Sequence, residues 1–513
     1  MRWKTTIQSA REKAVADSLR RSSKFYVFLW NIRSELFDDA FQDELSAAYE
    51  PRGQEPCPPA LLAMANLLQR YTGLSDAAAV DEAENDRRWQ LVLGTLGKKK
   101  APFGQGSLVR FRTRAIEHDL DQKLLDRTVE LAKKTKLFDA RKLRVALDSS
   151  PLEGAGRVED TWNLIGRAMS KVVGAVAKAT GVEASSIIEK ANLKLLAGPS
   201  IKAALDVDWA DPDERHEALQ FLVAEAERLD AWVVKRCAQQ ADNPPISDAL
   251  ELLRRVTGQD LEPDPDGGGL RIREGVAQER VISVGDPEMR HGRKSRSKTI
   301  RGFKRHIAIA GRVILGGVVE PANQPEARPV PRLLADVRRH GDIAATLVDR
   351  GYLPAPEIAS LWRAGVELRS RAFRTGAGGF FGKEHFTLLL GDGVAICPAG
   401  NFARISAKTN VAWFRKNDCQ KCPLKALCTT SHHRAVRLHE NEAMLIDLRE
   451  QQATKAGRRA YRERTVVEHC LARIDAIQGP KARYKGVRKN ELDLRRAAAV
   501  ANLQEVARCR RAA

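Results

Sequence analysis

Leu143-Arg144-Val145-Ala146-Leu147-Asp148-Ser149 (residues 143–149) places Leu143, Val145 and Leu147 on one face and then turns to an acid. A period of two over such a run predicts a strand, with Asp148 at its end. The design recurs at Thr346-Leu347-Val348-Asp349, followed by Arg350-Gly351-Tyr352. Between the two, His306-Ile307-Ala308-Ile309 and Val313-Ile314-Leu315-Gly316-Gly317-Val318-Val319 predict a strand pair joined at Gly311-Arg312. A helix is expected from about 326 to 340, another from 356 to 364, and a last strand at 366–369. Strands that alternate with helices in this way predict an α/β core with a mixed sheet, Asp148's strand being its first member.

A third acid, Glu468, stands in Tyr461-Arg462-Glu463-Arg464-Thr465-Val466-Val467-Glu468. On one continuous helix Tyr461, Arg464, Glu468 and Asp475 share a face. Glu463 lies roughly 140° from Glu468 at 100° per residue, so Glu468 is the candidate ligand. Cleavage of a phosphodiester needs an activated oxygen nucleophile and charge compensation at the leaving oxygen. Two divalent cations held by carboxylates supply both. Mg²⁺, or Mn²⁺, suits a few carboxylates because it keeps several of its waters. Asp148, Asp349 and Glu468 are thus the candidate catalytic and metal-holding residues, with Arg464 and Tyr461 as support near phosphate.

The charge balance fits that chemistry. The 513 residues carry 86 Lys+Arg against 66 Asp+Glu, a net charge of +20. Such an excess favours a polyanionic partner, since basic side chains displace counterions from phosphates. No apolar run approaches the roughly 18 residues that would span a membrane, and the N-terminus shows no apolar signal core. A cytoplasmic, nucleoid-associated protein is expected. Residues 1–140 read as helices: Pro58-Pro59 opens one, Gly73 stops it, and Ser75 caps the next. Lys98, Lys99 and Lys100 lie in a glycine-bearing loop there, and residues 98–144 hold 14 basic and 6 acidic residues. This region is expected to bind DNA or to dimerise.

The core is expected to be interrupted. Residues 141–162 begin it. Residues 163–280 read as a helical insertion: 206–266 hold 16 acids against 6 bases, and the run from Glu262 to Gly269 reads as a flexible linker. Residues 281–373 resume the core. They open on a basic stretch in which 290–306 carry eight Lys/Arg and no acid. Arg293, Lys294, Arg296, Lys298, Lys304 and Arg305 are candidate DNA contacts, Lys304 being favoured over His306. Residues 374–440 form a cysteine-bearing insertion. Residues 441–513 carry the Glu468 helix and a basic helical tail, with 16 Lys/Arg against 6 acids from Lys455 onward.

Within 374–440, Cys419, Cys422 and Cys428 follow Cys397 after a gap of 21 residues, with Pro398 and Pro423 beside two of them. Four thiolates from two loops can close a tetrahedral structural zinc site. His432, His433 and His439 are alternative ligands.

These motifs together resemble the bacterial insertion-sequence transposases of the DDE class, most like the group numbered 1182. The resemblance rests on Leu147-Asp148-Ser149-Ser150-Pro151 with Gly154 to Thr161; on Asp286-Pro287-Glu288-Met289-Arg290 leading to Lys298–His306; on Val348-Asp349-Arg350-Gly351-Tyr352; and on Arg464–Glu468. It implies an RNase H-like core with Asp148, Asp349 and Glu468 as the DDE triad, Mg²⁺ as metal, and a helical domain preceding the catalytic one. It also implies cleavage of double-stranded DNA at terminal inverted repeats, transfer of 3′-hydroxyl ends into target DNA, and a homodimer in the synaptic complex. Related transposases carry a Lys seven residues after the Glu. Here Asp475 stands in that place, so the DNA-end contact passes to Arg473 or Lys481. Two other readings stand beside this one: a nuclease of the same fold that only hydrolyses, and a DNA-binding protein derived from a transposase.

Overall fold

Strand β1 (Leu143–Glu153) is the middle of a six-stranded mixed sheet. In the computed structural model, residues 2–6, 9–50, 57–198, 200–265, 267–294, 297–373, 375 and 378–512 are described. On one side of β1 lies β2 (Thr299–Ala310), antiparallel, then β3 (Val313–Pro321), antiparallel to β2. On the other side lie β4 (Ile343–Val348) and β5 (Glu367–Arg369), both parallel to β1. The spatial order is therefore β3-β2-β1-β4-β5, with a short strand, Arg290–Arg293, pairing the first residues of β2. The β2–β3 hairpin turns at Gly311, whose φ of 56° is the left-handed conformation that glycine takes without strain.

Asp148 is not at the end of its strand, as the alternation had suggested, because β1 continues to Glu153 along β2. What ends at Leu147 is the pairing of β1 with β4, where Leu147 faces Val348. Asp148 and Asp349 are the next residues after that pair, so they stand side by side where the β1–β4 pairing ends. Two further expectations change. The helix read from 326 to 340 spans only Val330–Arg338: Pro325, Pro329 and Pro331 hold the preceding residues in turns, which leaves Glu326 outside the helix. The expected linker at 262–269 contains a β-hairpin instead, Leu261–Pro263 pairing with Leu270–Ile272.

The N-terminal helices do not stand apart. Among them α1 (Pro59–Thr72) starts at the proline pair and stops at Gly73 in the left-handed conformation, and Ser75 caps the helix after it. With α2 (Leu120–Lys134) they enclose the last helix, α4 (Val487–Ala512), against β3. One continuous apolar core runs from Trp3 through the sheet to Ala507. The basic residues of the tail are largely consumed here. Arg496 and Arg70 both bind the buried Asp493, and Arg488 and Arg495 bind Asp121. Asn502 satisfies both the N–H and the C=O of Ile314 at 2.8 Å each, locking α4 to the sheet.

The two remaining segments have separate cores. Helices Thr161–Thr180, Pro212–Arg236 and Ile246–Asp260 pack through residues such as Leu164, Met169, Leu222, Leu229 and Leu253. The cysteine-bearing segment holds a three-stranded and a two-stranded sheet around Phe386, Ala395, Phe414 and Val436. Among the described residues, no helix is long and apolar enough to cross a membrane.

Candidate active site

The register of β1 against β4 delivers the first two acids. Asp148 accepts a hydrogen bond from the Ser149 N–H at 2.8 Å, and Asp349 accepts one from the Arg350 N–H at 2.9 Å while capping the turn Arg350–Tyr352. The third acid comes from α3 (Thr465–Gln478), which packs across β1. The segment before α3 is not the single helix that the spacing of Tyr461 to Asp475 implied. Helix Lys455–Tyr461 ends, and Arg462–Arg464 form a tighter turn before α3 begins.

Arg464 joins the acids. Its Nη1 donates to Asp148 at 2.8 Å and its Nη2 to Glu468 at 3.1 Å. Its guanidinium also lies over the Tyr461 ring, 5.8 Å from the centroid, and Arg371 stands 5.5 Å from the same ring. The side chains of Arg464 and Asp148 are 13% and 15% exposed, whereas Glu468 is 56% exposed. The two strand acids are thus fixed by backbone hydrogen bonds, and the helical acid reaches in from solvent. Burial pushes the Asp148 carboxyl above its ordinary value, with the charge of Asp349 adding to the effect, although Arg464 and the Ser149 amide oppose it.

The other face of this corner is dry. His306, fully buried on β2 beside Ser149, shares a 2.9 Å hydrogen bond between its Nδ1 and the Tyr352 hydroxyl. Burial lowers its pKa to about 3, so the ring is neutral. Ser149 Oγ donates to Glu326 at 2.8 Å. Neither Glu326 nor Ser149 stood out in the sequence, because the first was read as part of a helix.

Several expected DNA contacts are placed differently. Arg305 is 1% exposed and faces inward. It donates to Ser150 Oγ at 2.8 Å, Gln478 Oε1 at 2.9 Å and the Gly479 carbonyl at 3.0 Å, and it pairs with Asp475. It is a clamp between β2 and the end of α3, and Asp475 is its counter-charge. Burial brings this guanidinium down to about 10, still protonated at neutral pH. Arg473 pairs with Glu505 and donates to the Arg312 carbonyl at 2.7 Å. Lys304 is half-buried and donates to the Gln324 carbonyl at 3.2 Å. Arg293, Lys294 and Lys298 are exposed around the turn leading into β2, as are Lys98, Lys99, Lys100 and Lys481 elsewhere. Arg296 lies outside the described residues.

Cys397, Cys419, Cys422 and Cys428 line one small cavity with Phe381, Phe414 and Arg434. Burial raises the Cys428 thiol, and the other three cysteines add to the rise. Among the described residues, no group of three or more His, Cys, Asp or Glu side chains is placed to hold a metal ion. At the acids, the position between Asp148 and Glu468 is taken by the Arg464 guanidinium. The donors there are carboxylate oxygens around a positive charge, which is the chemistry that suits a hard divalent cation.

Two segments match known families. Residues 396–507, which include all four cavity cysteines and Glu468, match the family model described as Transposase DDE domain. Residues 18–114, in the N-terminal helices, match the Transposase domain (DUF772). Cys397 lies inside the first match, whereas Asp148 and Asp349 precede it. No curated protein and no solved structure matches the chain.

Proposed function

We propose, from its two family matches, that the chain is an insertion-sequence DDE transposase that cuts DNA at the ends of its element and joins the freed 3′-hydroxyl to target DNA at Asp148, Asp349 and Glu468. The observation that carries this reading is the convergence at one corner. Sheet register sets Asp148 beside Asp349, and Arg464 ties Asp148 to Glu468 across more than 300 residues of chain. The order β3-β2-β1-β4-β5, antiparallel on one side and parallel on the other, supports an RNase H-like core. The motifs around Asp148, Asp286 and Asp349 support the narrower likeness to group 1182.

Asp148, Asp349 and Glu468 would hold Mg²⁺, which when bound lowers the pKa of an attacking water and offsets charge at the leaving oxygen. Asp148 and Asp349, fixed by backbone N–H donors, set the position of the scissile phosphate. Glu468, on a partly exposed helix, can enter or leave as DNA docks. Arg464 holds Asp148 and Glu468 together in the free protein and is placed to pass its charge to a phosphate oxygen when they turn to the cation. The exposed Arg293, Lys294, Lys298, Lys98, Lys99, Lys100 and Lys481 would meet the DNA backbone. Synapsis of two DNA ends would bring two copies together. The shared cavity supports structural zinc on the four cysteines, testable by metal analysis of the purified protein against a Cys419→Ser, Cys422→Ser variant.

A strand-transfer assay tests the reaction class. With a pre-cleaved duplex ending in a 3′-hydroxyl, joined product is expected with Mg²⁺. Hydrolysis without joining would make the protein a nuclease of this fold and overturn the transferase reading.

A further inference from the structure

We propose that Glu326 is a fourth carboxylate of the Asp148–Asp349–Glu468 site, facing the same divalent cation chemistry and held there by Ser149. This rests on the reading of those three acids as the site.

Three observations converge on it. Glu326 accepts the Ser149 hydroxyl at 2.8 Å, and Ser149 is the residue after Asp148. Its other oxygen, Oε2, lies 1.8 Å from where a Cβ on Gly351 would stand, and its own Cβ lies 3.2 Å from that point. Gly351 is two residues after Asp349, so Glu326 is wedged between β1 and the turn that follows β4. No left-handed φ requires glycine at 351. The close approach of the Glu326 carboxylate is what excludes a side chain there.

The charge balance then assigns a role. Among the described residues, neither Glu326 nor Asp349 has an ion pair, while Arg464 is shared between Asp148 and Glu468. The Arg464 guanidinium therefore pairs with two of the four carboxylates. A structural glutamate at a turn would ordinarily find a basic partner or open solvent. Glu326 instead is half-buried, and its charge acts on the same Tyr352 hydroxyl as those of Asp148 and Asp349. The fixing chain runs inward: Ser149 donates to it, and the hydroxyl of the fully buried Tyr352 lies beside Ser149 and bonds His306 at 2.9 Å. Placing an uncompensated carboxylate beside others is unfavourable unless a cation joins them. A divalent ion supplies that charge, and Glu326 gives it an oxygen ligand from a third chain segment, neither β1 nor β4.

The test uses Glu326→Gln in the full chain. The amide keeps the size and can still accept from Ser149, so the fold is preserved while the charge is lost. Mn²⁺ is titrated into the DNA-free protein and followed by calorimetry and by the rise in melting temperature. The expected result is Mn²⁺ affinity weakened on the order of tenfold or more, and a matching rise in the Mg²⁺ concentration needed for DNA nicking. Glu326→Ala, which needs no hydrogen bond at that position, should weaken Mn²⁺ to a similar degree. Asp148→Asn and Asp349→Asn are the reference variants and should lose Mn²⁺ binding. If they do and Glu326→Gln binds as wild type, Glu326 is a structural residue and the proposal is wrong. If all of these variants bind Mn²⁺ as wild type, the underlying site assignment itself falls.

Discussion

Two arginines hold the two ends of α3, and they do so in opposite ways. Arg464, just before the helix, bonds Asp148 and Glu468 at a corner open to solvent, with Glu468 56% exposed. Arg305, on β2, reaches the far end of the helix at 1% exposure and spends its donors on Ser150, Gln478, Gly479 and Asp475. The same guanidinium chemistry serves exchange in one place and permanence in the other. Burial decides which. A donor that is itself cut off from water cannot leave its partners without becoming unsatisfied, whereas a donor at a wet corner can trade a carboxylate for a phosphate at little cost.

The sharpest way to break this comparison is to remove the buried member. Arg305→Met leaves Ser150, Gln478 and the Gly479 carbonyl without their donor and should cost about 3 kcal/mol of stability, read as a shift in the denaturant midpoint. A change indistinguishable from zero would mean that the clamp is not structural. Arg464→Gln should do the reverse. Its melting temperature should stay close to wild type, while DNA nicking in Mg²⁺ slows by about a hundredfold, roughly 2.7 kcal/mol of barrier. A variant that nicks at the wild-type rate would separate Arg464 from the chemistry.

Asp475→Lys is a finer probe, because it installs the residue that related transposases carry. Opposite Arg305 it sets like charges together and should destabilise by about 2 kcal/mol, with no gain in binding to DNA ends. Tighter end binding would reopen position 475 as a DNA contact.

A further test concerns pH. His306 is held neutral, with a pKa lowered to about 3 by burial and then by Lys304. The unfolded ring titrates near 6.5. Between those values the unfolded chain binds a proton that the native one does not. Stability from this residue is therefore complete above pH 6.5 and declines as pH falls towards 3, by at most about 1.4 kcal/mol per pH unit. His306→Gln should flatten that part of the stability–pH curve. An unchanged slope would show that the acid sensitivity arises elsewhere.

The comparison also explains what could be read in the sequence. Asp148 and Asp349 were legible because each follows a short apolar run, and sheet pairing turns two such runs into neighbours. The β2–β3 hairpin was legible from its apolar runs and Gly311. Helical phase picked Glu468 over Glu463, and Arg464 with it, even though the helix is broken at 462–464. Arg305 was misjudged because it sits in a basic stretch, and nothing local distinguishes the residue that turns inward. Its partners Ser150 and Asp475 lie more than 150 residues away in either direction. Glu326 was missed for a different reason. Its apolar spacing matched a helix, and only the prolines at 325, 329 and 331 keep it in the turn where it meets Ser149. The tail reads as a basic helix, and its Arg488, Arg495 and Arg496 turn inward to Asp121 and Asp493, which no local pattern announces.

The central claim is that Asp148, Asp349 and Glu468 act together on DNA, and one measurement reaches it directly. The full chain is incubated with Mg²⁺ and a duplex carrying the inverted repeats that flank its reading frame, and nicks are mapped on both strands. Wild type should cut at the repeat boundary. Asp148→Asn, Asp349→Asn and Glu468→Gln should each bind the duplex and leave it intact. Boundary cutting at the wild-type rate by any one of the three would contradict the assignment of that acid and of the shared site.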